Sequence, residues 1–282
     1  MSRTSELTSR AEQVEIELPG FTLAALRTGG ETNPPALLVP GWTGSKEDFG
    51  PILEPLGEAG FLVTAIDQRG QFRSPFRPDG DYSPIALGND LRLAAAALGG
   101  GVHLVGHSFG GLVARAAVLD DPDLFRSLVL LDSGPAGIDD GRKERLDLMR
   151  PVLAQHGLPA VYQALIQLDA SEPGYQPPSA EEARFMQERF LASDPQALIG
   201  MAEALINEPD LVADLAGSNV PILVASGRDD DVWSPQIQAA MARRLRAPYT
   251  AIAGAAHSPA VENPTATVAM LVEFWRSAEN HG

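Results

Sequence analysis

Three kinds of side chain in this chain could together carry out metal-free acyl transfer. They are a serine in a glycine-framed turn, a cluster of aspartates after an apolar run, and a histidine in a small-residue loop. The serine is Ser108, in Gly106-His107-Ser108-Phe109-Gly110. An apolar run of strand character, Val102 to Val105, precedes it, and the helical pattern Leu112 to Val118 follows. A strand that turns directly into a helix puts the apex residue in an unusual backbone conformation, and the residues two before and two after must be nearly free of side chain. The apex hydroxyl then stands exposed ahead of a helix N-terminus whose N–H groups point towards it. A serine there can act as a nucleophile, with the Phe109 N–H aimed at a developing oxyanion. A bare G-x-S-x-G recurs by chance; the strand before it and the helix after it distinguish this one.

Such a nucleophile needs a base, and the base needs an acid to orient it. The chain has five histidines: His103, His107, His156, His257 and His281. His103 lies inside the strand before the turn and reads as packed. His107 precedes the serine and should point away from it, a structural role. His156 falls in a turn, and His281 stands at the end of the sequence. His257 sits in Ala253-Gly-Ala-Ala-His-Ser258, directly after a strand. Loops at the C-terminal edge of an open α/β sheet carry function, so His257 is the expected base. The acid is expected at the end of the preceding strand, where Asp229, Asp230 and Asp231 follow one another. Chain order is then Ser…Asp…His. Asp132 also ends a strand.

The surrounding elements must position these residues. Val14 to Leu18 alternates as a half-buried edge strand, and with Phe21 to Leu26 it makes an opening hairpin around Pro19-Gly20. Ala36 to Val39 reads as a strand buried on both faces, Lys46 to Ala59 as a helix, and Phe61 to Ile66 as the next strand. Ile85 to Leu98 is a helix, and Leu128 to Leu131 is a strand after the serine turn. This alternation implies a parallel sheet covered by helices. From 136 to 217 the rhythm stops, and only helical stripes appear: Leu158, Val161, Leu165 and Leu168; Phe185, Met186 and Phe190; Leu198, Met201 and Leu205. Gly157, Glu172-Pro-Gly174, Pro177-Pro178 and Glu208-Pro209 separate them. Strands resume at Val220 to Ala225 and Tyr249 to Ala253, around a helix of Pro235 to Arg246. A last helix opens at Asn263-Pro264 and runs to about Ser277.

Composition bounds the function. The chain has 282 residues, 44% hydrophobic and 21% charged, within the range of a globular protein with a large core. It has no cysteine, which excludes disulfides and thiolate chemistry. A net charge of −16 argues against nucleic acid and against an anionic membrane surface. The polar stretch Met1 to Gln13 shows no signal-peptide core, so a cytoplasmic location is expected. No metal-ligand spacing or dinucleotide fingerprint is present, so neither a metal nor a cofactor is expected.

Taken together, Val39-Pro-Gly-Trp42, Asp67-Gln-Arg-Gly70, Gly106-His-Ser-Phe-Gly110, Gly227-Arg-Asp-Asp230 and His257 resemble the α/β-hydrolase fold superfamily, from about Val14 to Ser277. The resemblance implies a mostly parallel eight-stranded α/β sheet flanked by helices, with residues 1–135 and 218–282 as the core and 136–217 as an inserted helical cap. It selects Asp230, three residues after Gly227, as the acid. Counting back from Pro235 favours Asp231 instead. It also implies an oxyanion hole from the backbone N–H groups of Trp42 and Phe109. Many relatives have His-Gly where this chain has Pro40-Gly41, and that histidine often braces the loop. The implied activity is a serine hydrolase cleaving an ester, thioester or lactone of a small, moderately apolar molecule. The alternatives are a C–C bond hydrolase, a cofactor-free lyase or oxygenase, or a ligand-receptor module. Tyr162, Met186, Met201 and Trp233 are the residues expected to line the substrate pocket. The expected partner is a small-molecule substrate, and a homodimer is compatible with this reading.

Overall fold

The computed structural model describes residues 11–75, 80–138, 140–171 and 177–280. His281 and the Glu172-Pro-Gly174 break lie outside them. The chain runs β1 (Glu12–Leu18), β2 (Phe21–Thr28), β3 (Pro35–Val39), α1 (Gly50–Glu58), β4 (Leu62–Ile66), α2 (Pro84–Ala97), β5 (Val102–His107), α3 (Phe109–Asp120) and β6 (Phe125–Leu131). Four helices follow: α4 (Asp140–Ala170), α5 (Ala180–Ala192), α6 (Pro195–Asn207) and α7 (Val212–Leu215). The chain closes with β7 (Ile222–Gly227), α8 (Pro235–Leu245), β8 (Tyr249–Ile252), α9 (Pro259–Glu262) and α10 (Pro264–Glu279).

The eight strands form one sheet in the order β1-β2-β4-β3-β5-β6-β7-β8. The pairs β1–β2 and β2–β4 are antiparallel, and every later pair is parallel. Burial follows from this. The edge strand β1 alternates exposed and buried residues towards its end, whereas β4 and β7 are buried throughout. One face carries α2, α3 and α8 over Leu91, Leu112, Val113 and Met241. The other carries α1 and α10 over Ile52, Leu53, Leu56, Leu271 and Trp275.

From β3 the chain moves outward to β4, then returns past β3 to form β5 on the other side. The loops after β3 and β5 therefore leave in opposite directions and open a crevice at the strand ends, where Val39 and Gly106 are in register. The stretch expected as one helix from Lys46 to Ala59 is divided. A 3-10 turn spans Lys46–Phe49, and α1 starts at Gly50. Pro51 lacks an N–H and suits only a first turn, which sets the new start.

Among the described residues no strand lies between β6 and β7. Gly157, at φ 75°, interrupts α4. Buried Arg115 on α3 ties down both roots of this helical segment. It donates to the Pro135 carbonyl at 2.6 Å, to Glu208 at 2.8 Å and to the Pro209 carbonyl at 3.2 Å. Burial pushes the Glu208 carboxyl up against the pull of Arg115.

Candidate active site

Ser108 sits at the turn from β5 into α3 with φ 54° and ψ −122°, in the positive-φ region that a serine enters only at a cost of about 1–3 kcal/mol. Its N–H bonds the Leu131 carbonyl at 2.9 Å, so the sheet holds the apex in place. The two framing glycines are demanded by close approach. A Cβ on Gly106 would lie 2.4 Å from the Gly110 carbonyl oxygen, and one on Gly110 would lie 2.5 Å from the Pro40 carbonyl oxygen. Because α3 begins at Phe109, the Phe109 N–H is among those at the helix N-terminus that the helix itself leaves without an acceptor.

The β8 loop brings His257 to this serine. Ser108 Oγ and His257 Nε2 are 3.0 Å apart, and His257 Nδ1 is 2.9 Å from Asp230 Oδ1. With Nδ1–H donating to the carboxylate, Nε2 is left to accept the serine proton. Asp230 is buried and accepts twice more, from the Val232 N–H at 2.9 Å and from Gln238 Nε2 at 2.6 Å. Burial pushes its carboxyl up, but the hydrogen bond and charge of His257, with the Val232 N–H, outweigh that and hold it below the ordinary carboxylate range. Asp229 and Asp231 are exposed. Asp132 is buried behind Asp230 and accepts from the Gly227 N–H.

The β3 loop completes the crevice. A Cβ on Gly41 would lie 3.0 Å from Ser108 Cβ, so a glycine is needed for the loop to pass so close. Thr43 takes φ 62°, a rare conformation for a β-branched residue. Two glutamines brace this loop, which carries Pro40 where the resemblance leads one to expect a histidine. Gln68 Nε2 donates to the Pro40 carbonyl at 2.9 Å, and Gln71 Nε2 to the Gly41 carbonyl at 2.8 Å. Lys46 reaches back to Asp67 with both its backbone N–H, at 2.8 Å, and its ammonium, at 2.7 Å. Burial nonetheless pushes the Asp67 carboxyl up to about 6.

Several supporting residues escaped the sequence reading. His107, read as pointing away, donates from Nε2 to the His257 carbonyl at 2.6 Å and braces the loop that carries it. Burial and the neighbouring His257 pull His107 down to about 4, so it is neutral. Glu262 accepts from the N–H groups of Ala256 and Ser258 on either side of His257. Gln238, on α8, gave no signal in the sequence, because a lone buried glutamine on a helix does not show which group it folds back on. His103 is packed as expected. It stacks on Trp275 and bonds Ser127. His156 lies exposed on α4.

Two cavities meet at Trp42. One of about 200 Å³ is lined by Gly41, Trp42, His107, Ser108, Arg189 and His257. An apolar one of about 40 Å³ is lined by Trp42, Leu153, Leu158, Val161, Phe190 and Leu198, among others. The indole N–H of Trp42 donates to the Leu198 carbonyl at 3.0 Å, fixing the ring to α6. None of the four residues expected as pocket wall lines either of these two cavities. Met201 is fully buried and belongs to the core cluster that covers one face of the sheet. Met186 is 40% exposed on the outer side of α5. Tyr162 packs on Phe190 and donates to the Ala183 carbonyl. Trp233 fills the space left by Gly134, its ring 6.4 Å from His257 and its buried N–H without an acceptor.

Asp132, Asp230 and His257 each bring a ligand-type atom within 4.8 Å of the others. The Asp230 and His257 atoms are already bonded to each other, and no fourth group joins them among the described residues. Among those residues no helix is long and apolar enough to cross a membrane.

Comparison with known proteins agrees with this geometry. The sequence profile of the alpha/beta hydrolase family matches residues 36–270. A Variovorax paradoxus protein provisionally named carbamate hydrolase RutD is 41% identical over 98 residues, 34% of this chain and 37% of that protein. Lipase 1 of Psychrobacter immobilis is 25% identical over 233 residues, 79% of this chain and 72% of that protein. The solved structure of a thermophilic esterase from Thermogutta terrifontis is 26% identical with a TM-score of 0.78, covering 95% of this chain and 99% of that one. The chain thus spans little more than a third of the Variovorax relative but nearly all of the Thermogutta structure. The matched span takes in β4 to β8, the serine turn and the Asp230–His257 loops alike: the chain belongs to the alpha/beta hydrolase family.

Proposed function

We propose that this chain hydrolyses a carboxylic ester, thioester or lactone of a small, moderately apolar molecule through an acyl-enzyme on Ser108. The observation that carries the reading is the unbroken hydrogen-bonded run from Ser108 Oγ through His257 to Asp230 at a strained strand-to-helix turn. His257 Nε2 takes the serine proton as Oγ adds to the substrate carbonyl, and Asp230 stabilises the imidazolium that forms. The N–H groups of Trp42 and Phe109 receive the oxyanion. His257 then returns its proton to the leaving alcohol or thiol. It next draws a proton from water, which attacks the acyl carbonyl and frees the acid and Ser108. A carbamate, named for one relative, presents the same kind of carbonyl and leaving group.

Residues 136–217 act in this reading as a cap over the crevice. The larger, more polar cavity receives the ester group. The apolar cavity behind Trp42 receives the end of the acyl chain, in place of the Met186 and Met201 wall. At about 10–15 Å³ per water-sized body, its 40 Å³ admits only a few atoms, so short acyl chains are favoured. Trp233 keeps a place at the margin of the site through its unpartnered indole N–H.

Fluorophosphonate labelling followed by p-nitrophenyl esters of graded chain length tests the reading. The wild type should label and turn over acetyl to butyryl esters fastest. Ser108→Ala should not label and should lose several orders of magnitude in kcat, retaining on the order of 10³-fold over water from binding and the oxyanion site. Undiminished turnover by Ser108→Ala rules out the serine nucleophile.

A further inference from the structure

Asp132 closes β6 and has no part in the scheme above. Its backbone is left-handed, at φ 47°, and its side chain is fully buried. Its N–H bonds the Ala225 carbonyl, and its Oδ1 accepts the Gly227 N–H at 2.8 Å, so it reads the end of β7 from which Asp230 emerges. Its Oδ2 is buried and receives no donor among the described residues. A carboxyl oxygen of Asp132 belongs to the cluster of Asp132, Asp230 and His257 atoms within 4.8 Å of one another, and the two carboxyl groups are within hydrogen-bond reach.

Two carboxyl groups this close in a buried site cannot both hold a charge. The donors decide which one does. Asp230 receives three, from His257, Val232 and Gln238, whereas Asp132 receives one. A carboxylate with one oxygen buried and undonated is poorly stabilised, whereas a protonated oxygen there is itself a donor facing a charged acceptor. The charged groups around Asp132 are Asp230 on the β7 loop and Glu262 on α9, both acidic, with His257 beyond Asp230 on the β8 loop. Burial first, then the Asp230 charge, push the Asp132 carboxyl up to about 9.

We infer that Asp132 is a positioning residue that carries a proton at neutral pH and donates it in a hydrogen bond to the Asp230 carboxylate, holding that carboxylate against His257. The inference rests on the proposed Ser108–His257–Asp230 reading for its catalytic consequence, but not for the proton itself. When Asp132 ionises at high pH, the donor becomes a second negative charge and the two carboxylates repel.

Infrared difference spectra of the whole protein between pH 8 and pH 10 test the proton directly, above the range in which Asp67 titrates. The wild type should lose a protonated-carboxyl band on going to pH 10, and Asp132→Asn should lack that band at pH 8. A wild type without the band at pH 8 overturns the inference, whether or not the protein hydrolyses esters. The pH profile of kcat supplies the second measurement. It should fall above about pH 9 in the wild type but not in Asp132→Asn, whose amide keeps a donor that cannot ionise. Asp132→Ala should lose about tenfold in kcat at pH 8, the value of one buried hydrogen bond at its upper end, and Asp132→Asn should recover most of it. The same alkaline fall in Asp132→Asn as in the wild type overturns the positioning role, even where Asp132→Ala does not fold. A band that behaves as expected in a protein that fluorophosphonate does not label counts against the Ser108 reading and not against a protonated Asp132.

Discussion

Helices α5 and α6 are each 13 residues long and separated only by Ser193-Asp194, yet they belong to different parts of the molecule. On α6, Ala197, Met201 and Leu205 join the core that covers one face of the sheet. On α5, Phe190 alone is fully buried, in a small cluster with Leu158, Val161, Tyr162 and Leu198, while Met186 and Leu191 are exposed. The ties of α5 to the sheet-borne loops are few and mostly at its edge: Arg189 to Asp48 beside the crevice, Glu188 to Arg73 at 2.9 Å, and Phe185 edge-on to Phe72. The helical segment therefore packs in two ways, α6 into the sheet core and α5 mostly at the surface. In the proposed reading, chemistry stands on the sheet edge and selectivity rests with α5.

The comparison is tested hardest at the sheet edge. Asp230→Asn should lower kcat by about 10⁴, because an amide leaves the imidazole in the wrong tautomer. Asp231→Asn and changes on the outer face of α5 should leave kcat within a few-fold. Steady-state kinetics on one ester decides it, and a larger loss in Asp231→Asn would mean that the acid is misassigned.

Next comes the root of the segment. Arg115→Met removes one partner of a buried ion pair and the donor to two carbonyl oxygens, and should cost about 3–5 kcal/mol in denaturant unfolding. Arg189→Met, on α5, breaks a partly exposed pair and should cost no more than about 1 kcal/mol. It should instead change the ranking of esters. Equal losses of stability would show that α5 is as firmly seated as α6.

The two methionines give a smaller contrast. Met201→Ala empties a fully buried site and should cost about 2–5 kcal/mol. Met186→Ala, at 40% exposure, should stay within about 0.5 kcal/mol. Thermal melts of the pair suffice, and a destabilised Met186→Ala would place that side chain in packing after all.

The last test is a pH dependence. Burial first, then Arg126, pull His103 in the sheet core down to about 4, so it stays neutral where the unfolded chain takes up a proton. Its contribution is present above the ordinary histidine value of about 6.5 and is lost as pH falls from there towards 4, by about 1.4 kcal/mol per unit. His103→Gln cannot titrate, so its stability deficit against the wild type should shrink over that window. A deficit that stays constant between pH 6.5 and pH 4 would show that His103 is not buried neutral.

Much of the fold was legible from local pattern. The short, mostly apolar runs at β3, β4 and β5 marked strands, and Gly106 and Gly110 marked a strand-to-helix turn through contacts only a few residues apart. The difference between α5 and α6 was also visible in part. α5 carries Glu181, Glu182, Arg184, Glu188 and Arg189, whereas α6 carries Glu203 alone. The apolar stripe was nonetheless read identically in both, because a 3.6-residue period shows that a helix has a packing face and not what packs against it.

By itself the sequence determined the alternation of strands and helices, the serine at its turn, and the Ser…Asp…His order along the chain. These follow from side-chain period, backbone preference and glycine spacing, all of which act over a few residues. Only the tertiary structure decided which of three consecutive aspartates meets His257, that Asp132 lies behind it, and that Gln68, Gln71 and His107 brace the loops. It also decided that Trp42, not a methionine, divides the pocket. Each of these depends on which strand ends are brought side by side. Ser108 and His257 are 149 positions apart, and the hydrogen bond between them exists only because the sheet places the ends of β5 and β8 along one edge.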